Sequence, residues 1–196
     1  MQEDAPDPLV VGIGGTTAPG SSTERALRVA LRAAAEHGVE TQLFGGEALA
    51  ALPLYTSGRP LRPEEESLVS AVRQASGLLI ASPAYHGSVS GLVKNAIDLL
   101  EETAKDDRVY LTDVPVGLIV TAYGWQATGG TIVTLRSIVH ALRGWPTPFA
   151  AGINSAQCKF DPDGGCSDPA VTGQLEMVGR QVAAAALRDH RARANA

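Results

Sequence analysis

Cysteine is almost absent from this chain of 196 residues: Cys158 and Cys166 are the only two, separated by a Gly-rich segment. With no second pair and no histidine at metal-ligand spacing, neither a zinc site nor a disulfide framework is expected, and the two read as ordinary thiols. No apolar run approaches the ~18 residues of a membrane span, and the start MQEDAPDPLV is acidic and Pro-broken where a signal peptide is basic and then apolar. A cytoplasmic protein without membrane attachment is expected. Positive charge is also short: 16 Lys+Arg against 21 Asp+Glu give a net charge of −5, which argues against nucleic acid or an anionic membrane as a partner. No Ser-His-acid set, paired carboxylates or metal cluster emerges from the sequence.

What is present suits one packed globular domain: 44% hydrophobic and 19% charged residues, with 21 Gly and 12 Pro spread along the chain. A chain of this length buries roughly 70% of its unfolded surface. Residues 1–8 read as a disordered leader, 9–190 as the domain and 191–196 as a frayed tail. Apolar runs predict strands at Leu9–Gly14, Val39–Phe44, Gly77–Ser82, Val114–Ala122 and Thr147–Ile153. Helices are predicted from Thr23, capped by Ser22 or Thr23 and carrying Ala26, Leu27, Ala30, Leu31 and Ala34 on one face before Gly38, and from Pro63 behind three glutamates. Three more are predicted at Gly91 to Thr103, Gly130 to Arg143, and Pro169 to His190 with Asp168 as cap. Gly45 to Pro63 reads as loop. Five strands alternating with five helices make an α/β fold: a parallel sheet with helices on both faces.

Ligands of such sheets sit beyond the carboxyl ends of the strands, so three loops matter. The first, Gly14 to Thr23, leads into a helix N-terminus, where free N–H groups and the helix dipole favour an anion. Thr16, Ser21, Ser22 and Thr23 add hydroxyls. It is no P-loop, because Ser21 stands where the lysine is needed. Nor is it a dinucleotide fingerprint, because Thr17 stands where the third glycine is needed. A hydroxyl-lined cradle for one monophosphate remains, beside the plainer reading of an ordinary capped connector. The second and third loops, Ser82 to Ser90 and Thr121 to Gly130, hold Tyr85, Tyr123 and Trp125 out of a total of 3 Phe, 4 Tyr and 2 Trp. Rings concentrated there suit a flat heteroaromatic ligand, although Trp125 serves equally well as an edge or interface ring. Gly87, Gly124, Gly129 and Gly130 would let backbone N–H groups approach such a ring.

The segment from Ser82 to Asp98, SPAYHGSVSGLVKNAID, resembles the S-P-x-Y-x-x-S-x-x-G-x-x-K-N-x-x-D signature of the NADPH-dependent FMN reductases. The first loop is similar to that family's phosphate loop, with Thr16, Ser21 and Thr23 on the hydroxyl positions, and Thr121 to Gly130 to its second flavin loop; the likeness covers roughly residues 9 to 150. It implies a flavodoxin-like three-layer sandwich with a five-stranded parallel sheet in the order 2-1-3-4-5. It also implies FMN and NADPH or NADH as ligands and a homodimer or homotetramer with the Lys94–Asp98 helix at the subunit interface. The activity implied is NAD(P)H:FMN oxidoreduction, in which flavin carries the hydride and no side chain is catalytic. The residues so assigned to cofactor binding are Thr16, Ser21, Ser22, Thr23, Pro83, Ala84, Tyr85, His86, Gly87, Thr121, Tyr123, Gly124 and Gly129. The reduced product would go to a monooxygenase. A quinone or azo reductase of the same fold, a recruited biosynthetic enzyme and an electron carrier are the alternatives. In one departure, Ala18 stands where the family often places an arginine on the FMN phosphate, which implies weak, exchangeable flavin. His86 faces either flavin, a partner subunit or water; His140 and Trp145 are expected to pack.

Overall fold

The structure, a computed structural model, describes residues 7–161 and 165–194. Its strands are β1 (Leu9–Gly14), β2 (Glu40–Phe44), β3 (Ala75–Tyr85), β4 (Ser88–Val89), β5 (Pro115–Ala122) and β6 (Trp145–Asn154). Its helices are α1 (Ser22–Glu36), α2 (Gly46–Ala51), α3 (Pro63–Gln74), α4 (Gly91–Asp98, continued by a 3₁₀ turn Leu99–Thr103), α5 (Trp125–Ala141) and α6 (Pro169–Ala194). Five strands pair in parallel in the order β2-β1-β3-β5-β6. This is the expected doubly wound order, with the two-residue β4 added antiparallel to the end of β3.

Both faces of the central strands are apolar, as a covered parallel sheet requires. On one face, Leu27, Ala30 and Leu31 of α1 and Leu175, Val178 and Val182 of α6 pack on Val10, Leu79 and Ile119. On the other, Leu68 and Val72 of α3, Val93 and Ile97 of α4, and Leu135 and Val139 of α5 pack on Val11, Ile80, Leu118 and Val120. Helices α1 and α6 touch closely: a Cβ at Gly179 would lie 2.1 Å from the Ala30 carbonyl oxygen.

Several expectations are corrected. Helix α2 lies inside the segment read as loop; six residues are too few to print a periodicity, and its N-cap Gly45 offers no side chain as a signal. Helix α5 begins at Trp125 rather than Gly130, so Gly129 is helical as well; both glycines are exposed, where a missing side chain costs no packing. The N-cap of α1 is Ser21, whose hydroxyl accepts from Glu24 N–H at 3.3 Å. Trp145 is 65% exposed at the start of the edge strand β6, its indole N–H donating to Asp113 at 3.2 Å. His140 is exposed because it follows the buried Val139 and falls about 100° around the helix from it.

Cys158 and Cys166 are bonded to each other, their Cα atoms 6.6 Å apart. The bridge between Phe160 and Cys166 folds this segment back on itself, a closure that spacing alone did not reveal. Asp168 caps α6 through the Ala170 N–H at 2.9 Å, as expected. That helix runs to Ala194, through most of the segment expected to fray, because its alanines and arginines are strong helix formers with no breaker among them. Of the expected leader, residues 1–6 lie outside the described residues, whereas Pro8 is buried and its carbonyl accepts from Glu40 N–H at 3.0 Å.

Candidate functional site

At the carboxyl edge of the sheet, the ends of β1, β3, β5 and β6 surround a cleft of about 200 Å³. Thr16, Ser21, Ser22 and Thr23 line it from the first loop, Pro83, Ala84 and Tyr85 from β3, and Thr121 and Tyr123 from the end of β5. Ala122 and Ser155 complete the wall. Ser155 follows β6, whose carboxyl end obeys the same rule about strand ends but carries no glycine or ring to mark it in sequence.

The first loop leads straight into the N-terminus of α1. Gly20 turns the chain at φ +63°, a conformation glycine adopts without strain. Ser22 and Thr23 are the first helical residues of α1, so their N–H groups have no acceptor within the helix. Thr16 Oγ1 accepts from Ala18 N–H at 3.1 Å, folding the loop on itself. Behind it, a Cβ on Gly46 would lie 1.9 Å from the Thr16 carbonyl oxygen. Glu24 ties the same contact from α1, accepting from Gly46 N–H at 2.9 Å and from Arg28 at 2.7 Å. Burial raises the Glu24 pKa, but the Gly46 N–H and the Arg28 guanidinium outweigh it and leave the carboxyl below its ordinary value.

Thr23 and Thr121 are 2% and 4% exposed, and their hydroxyls meet at 2.6 Å. One hydroxyl donates to the other, and the accepting one keeps its own proton for another acceptor. Ser82, in the signature segment, is fully buried; its hydroxyl donates to the Pro83 carbonyl and accepts from Ser90 N–H at 3.0 Å. Ser90 in turn caps α4 through Val93 N–H. Ser82 of the signature and Ser90 just before its glycine thus hold the β3–β4 hairpin in place beside the cleft.

That hairpin turns at His86 and Gly87, both at positive φ (52° and 80°), the type I′ geometry that matches strand twist. Neither residue lines the cleft, and neither do Gly124 and Gly129. Gly124 is the extended N-cap of α5, and Gly129, in the second turn of the helix, presents no free N–H. The free amides at this end belong instead to the first turn of α5, at Trp125, Gln126 and Ala127.

The wall of the cleft carries hydroxyls, amides and rings but no charged side chain. Tyr85 is 58% exposed, Tyr123 84% and Trp125 59%, three of the seven large apolar or aromatic side chains left so exposed among the described residues. Hydroxyls and free amides at a helix N-terminus fit a phosphate ester, and exposed rings beside them fit a flat ring system; together they fit FMN. Among the described residues no group of His, Cys, Asp and Glu could hold a metal ion, and no helix is long and apolar enough to cross a membrane.

Comparison with known proteins agrees with this geometry. Residues 8–157 match the model of the NADPH-dependent FMN reductase family. An FMN reductase (NADPH) of Pseudomonas putida is 30% identical over 135 residues, 69% of this chain and 61% of that protein. An FMN-dependent NADPH-azoreductase of Staphylococcus saprophyticus is 34% identical over 99 residues, 50% of this chain and 49% of that protein. The match therefore spans about half to three fifths of these curated relatives' own length. Among solved structures, an oxidoreductase from Corynebacterium diphtheriae superposes with a TM-score of 0.73 at 18% identity, covering 94% of this chain and 99% of that one; it shares the fold. With the loops, the signature segment and the family match converging on one cleft, this chain belongs to the NADPH-dependent FMN reductase family.

Proposed function

We propose that the protein reduces FMN with a nicotinamide dinucleotide, NADPH or NADH, and releases the reduced flavin to a flavin-dependent monooxygenase. The observation that carries this reading is the convergence of the hydroxyl-lined loop Thr16–Thr23 and the exposed rings Tyr85 and Tyr123 on one uncharged cleft.

In this reading the cradle of Thr16, Ser21, Ser22 and Thr23 takes the FMN phosphate through hydroxyls and N–H groups. Pro83, Ala84 and Tyr85 form one side of the ring site, and Tyr123 the other. When bound, the flavin supplies the ring that accepts hydride from the nicotinamide, so the protein needs no acid, base or nucleophile of its own. The remaining task is electrostatic. The first N–H groups of α5 offer donors to negative charge at the ring end without requiring a titrating side chain. With no charged residue in the wall, FMN exchanges and serves as a substrate rather than as a fixed group.

The same reading places the enzyme in the cytoplasm as a homodimer or homotetramer, with α4, where Lys94 and Asp98 form an ion pair, at the subunit interface. The test is the visible spectrum of the purified full chain, then NADPH and NADH oxidation with and without added FMN. Stimulation by FMN is expected; absence of both FMN binding and nicotinamide oxidation overturns the proposal. The likeness to the staphylococcal azoreductase favours a second reading. A yellow protein that reduces azo or quinone acceptors faster than it releases flavin would establish that one instead.

A further inference from the structure

The wall of the cleft contains no cation, yet a cation stands against the first loop, which supplies part of that wall. Arg25, in the first turns of α1, is half-buried, and its Nη1 donates to the Phe160 carbonyl at 2.6 Å. The other edge of the guanidinium lies against Gly20 of the phosphate loop. A Cβ built on Gly20 would fall 2.8 Å from Arg25 Nη2 and 3.4 Å from Nε. Gly20 is thus glycine twice over, for its φ of +63° and for the room that Arg25 occupies.

Arg25 differs from its neighbour on the same helix. Arg28 is neutralised by Glu24 at 2.7 Å; among the described residues no carboxylate pairs with Arg25. A guanidinium has five N–H donors in a rigid fork. One is spent on Phe160, in the loop closed by Cys158 and Cys166, and that contact fixes the direction of the rest. A half-buried cation with no carboxylate partner among the described residues, held against a loop that leads into a helix N-terminus, is complementary to a small dianion in that loop.

We propose that Arg25 is the phosphate-binding cation of this chain, supplying from α1 the charge that Ala18 does not supply from the loop, and that it makes the site prefer FMN over riboflavin. The proposal rests on the flavin reading above and adds the residue responsible for ligand selection. Because Arg25 approaches from behind the loop, it adds preference for the phosphate without closing over the ligand, which fits a flavin that must leave after reduction.

The test is titration of FMN and riboflavin, followed by flavin fluorescence, on the full chain and on Arg25→Met, Arg25→Lys and Arg25→Met combined with Ala18→Arg. Wild type is expected to prefer FMN. Arg25→Met should lose roughly tenfold to a hundredfold in FMN affinity, the range of one charge-assisted contact, with riboflavin affinity unchanged. Arg25→Lys should retain part of the preference, as a point charge without the fork, and Ala18→Arg should restore it in the Met background. A preference unchanged in Arg25→Met overturns the proposal alone, as does a parallel fall for both flavins, the mark of a purely structural role. Binding of neither flavin by wild type overturns the flavin reading and this proposal with it.

Discussion

The hydroxyls of Thr23 and Thr121 meet at 2.6 Å and join the first turn of α1 to the carboxyl end of β5, residues 98 apart in sequence. This buried bond ties two walls of the cleft together. Thr121→Val leaves the Thr23 hydroxyl buried and unpaired, at a cost of about 1–2 kcal/mol. Thermal denaturation should show a lowered melting temperature. The double variant Thr23→Val/Thr121→Val should lose less than the sum of the two singles, because it removes both partners.

Gly46 abuts the carbonyl of Thr16, so the second βα loop props the first from behind. Gly46→Ala forces backbone atoms apart and should destabilise the fold by about 1–3 kcal/mol while weakening FMN binding. Gly124→Ala is the control: nothing lies within 4 Å of the added Cβ and the backbone there is extended. Its stability should stay within about 0.5 kcal/mol of wild type. Melting curves of the two variants side by side, followed by FMN titration, distinguish support of the loop from mere intolerance of side chains.

Glu65 is 1% exposed and accepts from Arg59 at 2.6 and 2.8 Å and from Arg62 N–H at 2.9 Å. The Arg59 hydrogen bonds outweigh burial and hold its carboxyl below the ordinary value. The unfolded chain therefore takes up the proton first. The contribution of Glu65 to stability is fully present above the unfolded carboxylate pKa of about 4.3 and is lost as pH falls through the lower folded value. Glu65→Gln should lower the urea midpoint at neutral pH. The wild-type and variant curves should approach each other below about pH 4, and parallel curves would contradict the assignment.

Tyr123 is 84% exposed, so its ring supports little of the fold. Tyr123→Ala should leave the melting temperature unchanged and weaken flavin binding by about 1 kcal/mol, or about fivefold, for the lost stacking face. FMN and riboflavin should suffer alike, because both present the same ring. A loss confined to FMN would place Tyr123 at the phosphate instead.

Much of this architecture is legible in sequence because the central strands are continuous apolar runs and α1 repeats its apolar positions every three to four residues. Leu9–Gly14 and the stripe Ala26, Leu27, Ala30, Leu31 and Ala34 lie where the pattern puts them, the stripe fully in the core. Patterns carried by few or small residues were not legible. Helix α2 is too short for a period, and the start of α5 is obscured by Gly124 and Gly129, which read as loop although Gly129 is helical. In the site, nine assigned residues from Thr16 to Tyr123 line one cleft, because each lies at or beyond the carboxyl end of a strand that the apolar runs define. Ser155, Arg25 and the Cys158–Cys166 closure depend on tertiary contacts between distant segments, and no local spacing announces them.

Helix α5 starts two residues after Tyr123, so its positive end joins that of α1 at the same edge of the sheet. The lining of the cleft between them carries no charged side chain, so its electrical character comes from backbone dipoles. Backbone dipoles do not change with acidity, so the proposed phosphate site should not either. Between mildly acid and mildly alkaline solution, the affinity for a phosphorylated ligand should follow the ligand's own second ionisation, near pH ~6, and nothing else.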